Sequence, residues 1–556
     1  MDARQSAALW SSDPVFDAET RAEAKKIMQS EQDTLSAFGM ELAFGTGGLR
    51  GILGVGTNRM NRYTVARATR GLCDYLVKGG KKSVAISHDS RIGSREFALI
   101  AAGVFAQGGV TAYLYDRLMP TPALSFAVRH LGCDAGVMVT ASHNPAQYNG
   151  YKVYGADGCQ ITDEAADAIT ACIDAVAYPQ LKWMDEADAR QKGLLKDVPA
   201  ATYQAFIDEE MKLRVETQPI TLPLVYTPLY GTGLEPVRDV LRRAGATHVV
   251  EVTEQCTPNG HFPTCPKPNP ELREALTLAL QAAKQSDAAL LIATDPDCDR
   301  VGVAVKNREG DYTVLTGNEV GLLLLEYLLK RKKALGTLPQ HPVIIKTIVT
   351  SDLALAIAKA YGLEAEEVLT GFKYIGEKIG ELEKNGEESR YLFGFEESCG
   401  YLSGTHVRDK DAVNACLLVA DMAQHYFSQG QSLLDVLSKL YQTYGCMQNR
   451  LLNFDIEAAL PMEKMNAILA ELRAHAPLTL CDEPISEVRD YTGGFMGLPK
   501  SNVLSYLNAR GDKAIVRPSG TEPKVKVYLS ANRPTLAEAQ SALDVMQRQA
   551  NQWILG

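Results

Sequence analysis

Four short segments hold residue types that could do chemistry together. Thr140-Ala141-Ser142-His143-Asn144-Pro145 places a hydroxyl beside an imidazole. The Asn-Pro step that follows ends any helix and fixes a turn, so both side chains would be held at one place. Read alone, this is also how a plain polar loop looks. A serine hydrolase is disfavoured because the G-x-S-x-G elbow is missing. Asp295-Pro296-Asp297-Cys298-Asp299-Arg300 offers three carboxylates at alternate positions. On an extended segment, alternation would set them on one side as a hard oxygen cage suited to Mg²⁺. A calcium-binding EF-hand needs Gly and Glu where Arg300 and Lys306 stand, so that reading fails. Phe393-Gly394-Phe395-Glu396-Glu397-Ser398-Cys399-Gly400 sets carboxylates beside a hydroxyl, a pairing able to grip vicinal sugar hydroxyls. Arg517-Pro518-Ser519-Gly520-Thr521-Glu522-Pro523-Lys524 mixes donors with small residues, which lets backbone N–H groups approach a phosphate dianion.

These segments need elements to position them. Apolar runs around Val84–Ile86, Val137–Val139, Leu224–Tyr226, Ala288–Ala293, Val343–Ile345 and Tyr391–Phe395 each lead into a polar stretch. The stretches include SHDSR, TASHNP, TPLYGTG, TDPDCDR and EESCGY. Strand-like runs alternating with helical patterns predict an α/β fold, in which ligands gather at the C-terminal ends of strands. The rhythm breaks near 190–220 and again at the Lys/Gly/Pro-rich linker 332–342. A long amphipathic stretch from Asp411 to Tyr444 would close a third unit, and a smaller α+β unit would follow. Four domains are expected, over 1–215, 216–336, 337–445 and 446–556.

At 556 residues the chain is too long for one hydrophobic core. A net charge of −10 with no basic block disfavours nucleic acid and anionic membranes as partners. An anionic substrate would therefore need cations gathered locally. No apolar run approaches the roughly 20 residues that span a bilayer, and MDARQSAALWSSDPVF lacks the charge and apolar order of a secretory signal. The eleven cysteines form no CxxC pair or zinc spacing, so free thiols in a reducing cytoplasm are expected.

With all four segments in this order, the chain resembles the α-D-phosphohexomutase superfamily over essentially its whole length. The resemblance implies a heart-shaped molecule, with three mixed α/β domains and a smaller α+β domain around a central cleft. It implies a phosphoryl group carried on Ser142, with Mg²⁺ held between Ser142 and Asp295, Asp297 and Asp299. GTGGLRG at 45–51, GFKYIGEKI at 371–379 and GTHVRDKDAV look like long-form phosphoglucomutases. That implies interconversion of glucose 1- and 6-phosphates through glucose 1,6-bisphosphate, with phosphomannomutase or phosphopentomutase as the alternative within the family. Arg50 would contact the transferring phosphoryl. Lys152 would move the proton, its pKa lowered by neighbouring cations and partial burial, with His143 and Lys410 as second choices. Glu397 and Ser398 would hold sugar hydroxyls, and Arg517, Ser519, Gly520 and Thr521 the idle phosphate. Gly371 and Lys373 would help select the sugar. Many bacterial relatives carry a histidine where this chain has Tyr401, so no acid/base role is expected there. The expected partners are small sugar phosphates, for a monomer or small homo-oligomer. A metal-dependent phosphatase, which would release phosphate steadily, and a non-enzymatic sugar-phosphate binder are the readings from other classes.

Overall fold

All six apolar runs are strands in the computed structural model, which describes residues 1–45, 47–456, 461–519 and 523–555. They are Ser83–His88, Ala135–Val139, Leu224–Thr227, Leu290–Thr294, Val343–Thr347 and Tyr391–Glu396. Every residue of Ala135–Val139 and Leu290–Thr294 is buried. That explains runs of unbroken hydrophobicity in place of strand alternation, because helices cover both faces of these sheets. The chain divides into two compact units. One comprises Met1–Thr316, Ile375–Phe393 and Cys399–Ser432, the other Gly317–Tyr374, Gly394–Ser398 and Leu433–Gly556.

The first unit contains a six-stranded sheet in the order Leu49–Ile52, Tyr148–Gly155, Ala135–Val139, Ser83–His88, Thr111–Leu114, Leu195–Asp197. The last four run parallel to their neighbours, and Tyr148–Gly155 turns back antiparallel beside Ala135–Val139. This return sets Lys152 opposite Met138, one strand away from the Ser142 loop. Helix Arg62–Lys78 covers the sheet and starts at Asn61, whose side chain accepts the N–H groups of Tyr63 and Thr64. Helices Ala3–Ser12, Ala18–Ile27 and Glu31–Phe38 bury Trp10 among Phe16, Phe38, Tyr63 and Tyr178. A five-stranded sheet in the same unit runs Tyr312–Leu315, Val301–Lys306, Leu290–Thr294, Leu224–Thr227, Val249–Glu251.

In the second unit, Val343–Thr347 pairs parallel with Glu364–Val368. The C-terminal part is a six-stranded antiparallel sheet under helices Pro461–Ala474 and Leu536–Leu555. Its core is built by Leu469, Tyr506, Val516, Val527, Leu543 and Met546. The architecture is thus mixed α/β with a C-terminal α+β part. The expected single stretch from Asp411 to Tyr444 is instead two helices, Ala412–Phe427 and Leu433–Tyr444. The break lies at Gly430, whose φ of 70° suits glycine and ends the first helix.

Candidate active site

Strand Leu290–Thr294 delivers Asp295 to a tight reversal rather than to an extended segment. Asp295 Oδ1 accepts the N–H groups of Asp299 at 3.1 Å and Arg300 at 3.0 Å, and Cys298 N donates to the Asp295 carbonyl. Cys298 completes the turn at φ 51°, a left-handed conformation that side-chain-bearing residues seldom adopt. The turn, not strand alternation, is what brings ligand oxygens of Asp295, Asp297 and Asp299 within 4.8 Å of one another. All three residues are buried, and Asp297 Oδ1 and Asp299 Oδ1 have no hydrogen-bond partner among the described residues. Buried carboxylate oxygens left unsatisfied are costly, and a hard cation is the group such a set fits. Burial, then Asp297 and Asp299, push the Asp295 carboxyl well above the usual range. For Asp299 burial pushes upward too, but Lys410, Lys152 and Arg300 outweigh it and hold the carboxyl low.

Ser142 follows strand Ala135–Val139, itself left-handed at φ 51°. Its N–H donates to Thr140 Oγ1 at 2.8 Å, and its hydroxyl donates to Asp295 Oδ2 at 2.7 Å. His143 Nδ1 lies 3.1 Å from the same hydroxyl. Burial, then Arg300 and Arg50, drive the His143 imidazole well below its ordinary value, so it is neutral near pH 7. Lys152 Nζ donates to Asp297 Oδ2 at 2.7 Å and to Asp299 Oδ2 at 3.3 Å. Burial would lower this lysine, but the two aspartates outweigh it and its pKa is raised. The expected depression is therefore corrected: the groups nearest the ammonium are anions. Lys410 Nζ sits 3.3 Å from Asp299 Oδ2 and 2.9 Å from Asp409 Oδ1. Arg50 donates to Asn144 Oδ1 at 3.2 Å, from a strand paired to the one carrying Lys152.

Other residues at this centre have no warning in motif spelling. Thr121 donates through its hydroxyl to Asp297 Oδ2 and through its N–H to the Asp297 carbonyl. Tyr154 donates to Asp409 Oδ2 at 2.9 Å. Arg91, in SHDSR, donates to backbone carbonyls of the Ser142 loop. The rule that ligands gather at strand ends marked SHDSR as a place, without saying what Arg91 does there. Tyr401 is buried, and its carbonyl accepts the N–H of Asp411 at 2.9 Å.

In the second unit, Arg517 Nη2 donates to the Tyr528 hydroxyl at 3.2 Å, its guanidinium 5.7 Å from that ring's centroid. Burial, then Glu397, push the Tyr528 phenol up to about 12, so Glu397 and Arg517 face one tyrosine. Ser519 N donates to the Lys524 carbonyl at 2.8 Å. Ser398 follows Glu397 directly. Gly371 has φ 124°, and Lys373 lies 4.6 Å from the centroid of the Tyr374 ring. Gly520 and Thr521 lie outside the described residues.

Three family models match, described as phosphoglucomutase/phosphomannomutase alpha/beta/alpha domains I, II and III, over residues 41–180, 201–310 and 316–444. The chain belongs to the phosphoglucomutase/phosphomannomutase family. It is an enzyme of the phosphohexomutase kind, an isomerase. It is 37% identical over 507 residues to a phosphoglucomutase of Staphylococcus haemolyticus, spanning 89% of this chain and 91% of that one. Against a phosphoglucomutase of Staphylococcus aureus it is 35% identical, spanning 93% and 94% of the two chains. The crystal structure of Paramecium parafusin, a phosphoglucomutase in an open form, superposes with a TM-score of 0.69 at 16% identity, covering 93% of this chain and 95% of that one. No described helix is long and apolar enough to cross a membrane.

Proposed function

We propose that this phosphohexomutase interconverts glucose 1-phosphate and glucose 6-phosphate through a phosphorylated Ser142 and a glucose 1,6-bisphosphate intermediate. The observation that carries the reading is the Ser142 hydroxyl, 2.7 Å from Asp295 Oδ2 at the edge of a buried triple-aspartate cage. Relatives named phosphoglucomutase, at 35% and 37% identity, favour glucose over mannose or ribose.

Phosphate must move between oxygens at opposite ends of one sugar, which a single fixed pose cannot do. In the first half-reaction the P–O bond to Ser142 breaks as a P–O bond to the free sugar hydroxyl forms. The hydroxyl proton leaves to a basic group. The bisphosphate then reorients, and its other phosphoryl returns to Ser142. Both halves are in-line transfers in which positioning and charge neutralisation supply most of the catalysis. Asp295, Asp297 and Asp299, with the Ser142 oxygen, would hold Mg²⁺. Bound there, the ion supplies neutralisation of charge on the transferring group.

We assign proton transfer to Lys152, with His143 and Lys410 as the groups it must be tested against. As an ammonium held by Asp297 and Asp299, Lys152 can give a proton to a departing sugar oxygen but can take one only after losing its own. Arg50 contacts the transferring phosphoryl. Glu397 and Ser398 hold the sugar hydroxyls, Gly371 and Lys373 help select the sugar, and Arg517, Ser519, Gly520 and Thr521 hold the idle phosphate. Intact mass before and after glucose 1,6-bisphosphate should show one added phosphoryl in the wild type and none in Ser142→Ala. Turnover on glucose, mannose and ribose 1-phosphates should rank glucose first. A phosphoryl adduct retained by Ser142→Ala would remove Ser142 as the carrier.

A further inference from the structure

We propose that Arg91 is a positioning residue for phosphoryl transfer, its guanidinium fixing the backbone of the Ser142 loop so that the serine oxygen faces the aspartate cage. This rests on the reading of Ser142 as the phosphoryl carrier. Arg91 Nη1 donates to the carbonyls of Pro145 at 3.0 Å and Tyr148 at 3.1 Å. Nη2 donates to the carbonyls of Ser142 and Asn144. One guanidinium therefore ties four carbonyls from a seven-residue stretch of chain. Its remaining nitrogen, Nε, lies 3.2 Å from Asp89 Oδ2, with neither side chain exposed. The Phe262 ring stacks at 4.9 Å and fixes the plane of the fork.

The anchor is held in turn. Asp89 accepts Ser94 Oγ at 2.6 Å, Thr140 Oγ1 at 2.7 Å and the Arg91 N–H at 2.9 Å. The Thr140 hydroxyl that donates to Asp89 also accepts the Ser142 N–H. Ser142 is thus gripped on both sides of its α-carbon, its N–H through Thr140 and its carbonyl by Arg91. That grip matters because Ser142 sits at φ 51°, where a side-chain-bearing residue does not stay unless its surroundings insist. Both Nη nitrogens of Arg91 are spent on loop carbonyls and the side chain is sealed from solvent, so it is not an arginine that meets substrate phosphate. Its role lies in the entropy of the loop. A near-attack geometry lost by about 1 Å is worth roughly 10²-fold in rate.

Arg91→Lys keeps the charge and most of the packing but loses the planar fork, since an ammonium cannot reach four carbonyls in one plane. This variant should lower kcat by about 10²-fold and leave KM within about threefold. Hydrogen exchange should quicken for amides of residues 140–150 and stay unchanged in strand Leu290–Thr294. Thr140→Val, which cuts the other grip without changing shape, should lower kcat by about tenfold in the same pattern. Wild-type kcat in Arg91→Lys would overturn the proposal. So would a loss of kcat accompanied by equal loosening of both segments, since that is what a general folding defect gives. If the folding of Arg91→Lys is compromised, Thr140→Val decides by the same two readouts. Intact mass keeps the two levels apart. Wild-type protein that takes no phosphoryl on Ser142 refutes the functional reading, whereas wild type that takes it with Arg91→Lys unaltered in rate refutes this inference alone.

Discussion

Replacing Lys152 with methionine tests whether this lysine and the expected metal share the same oxygens. The ammonium stands 2.7 Å from Asp297 Oδ2 and 3.3 Å from Asp299 Oδ2, nearly sealed from solvent. At an effective dielectric near 20, each attraction is about 5–6 kcal/mol gross. Desolvation of the lysine offsets much of that, so removing one partner of a buried ion pair has a net effect of about 3–5 kcal/mol. A chain with two compact units has no single unfolding free energy. The local reading is hydrogen exchange of the amides of residues 295–300, which should quicken by roughly two to three and a half powers of ten in metal-free Lys152→Met. Saturating Mg²⁺ supplies positive charge to the same carboxylates. The difference from wild type should then shrink to half or less, while turnover stays severely depressed. Mutase activity, exchange with EDTA and exchange with Mg²⁺ form one experiment on two proteins. An exchange penalty identical with and without Mg²⁺ would refute the reasoning, because Lys152 and the ion would then not compete for Asp297 and Asp299.

Stability should also fall at alkaline pH through His406. Its Nε2 lies 2.8 Å from Glu210 Oε1 and 3.5 Å from Asp411 Oδ2. Burial lowers the imidazole, but Glu210 and Asp411 outweigh it and raise it from 6.5 to about 10. The folded value exceeds the unfolded one, so this contribution is complete below about 6.5 and is lost as pH rises to about 10. Tm should therefore decline from pH 7 to 10 in wild type and decline less in His406→Gln, and parallel profiles would contradict this. Arg517→Ala should raise KM for glucose 1-phosphate, with kcat/KM down by about 2–4 kcal/mol, as for one partner of a charged contact. Discharge of phosphoenzyme to free glucose should change far less, and equal impairment of both reactions would place the loop at the reacting centre.

The strands were legible because burial on both faces leaves unbroken apolar runs, and Val137–Val139 and Ala288–Ala293 point directly at the chemistry that follows them. Helix breaks were less so. Gly430 reads as one glycine in an amphipathic stretch, and only its backbone angle ends the helix. The acidic cage was legible as three aspartates, but not its cause. A spacing of two fits both alternation and a reversal, and the reversal depends on Asp295 accepting two amides behind it. The neighbours of Lys152 lie about 145 residues away in sequence, so charge near its own motif misdirected the expected shift. Arg91 had no readable partner at all, since backbone carbonyls carry no residue signature.

Backbone strain gives a second, independent route to the same centre. Side-chain-bearing residues with positive φ follow four of the six apolar strands: Ser142, Leu229 with Tyr230, Cys298, and Cys399. Such conformations persist only where the surroundings over-determine them. Here the surroundings are other loops of the same kind. Thr232 N donates to the Pro296 carbonyl at 2.9 Å, and a Cβ placed on Gly231 would lie 2.5 Å from Pro296 Cα. The TPLYGTG loop thus backs the aspartate turn closely enough to require glycine. Phe262, itself at φ 48°, supplies the ring beneath Arg91. A glycine at Ser142 or Cys298 would relax the backbone angle, and with it the constraint that directs an oxygen or a carboxylate inward. The strain is therefore a consequence of holding short loops in one arrangement by mutual contact. It explains how Ser142 and Asp295, 153 residues apart in sequence, are held at hydrogen-bond distance.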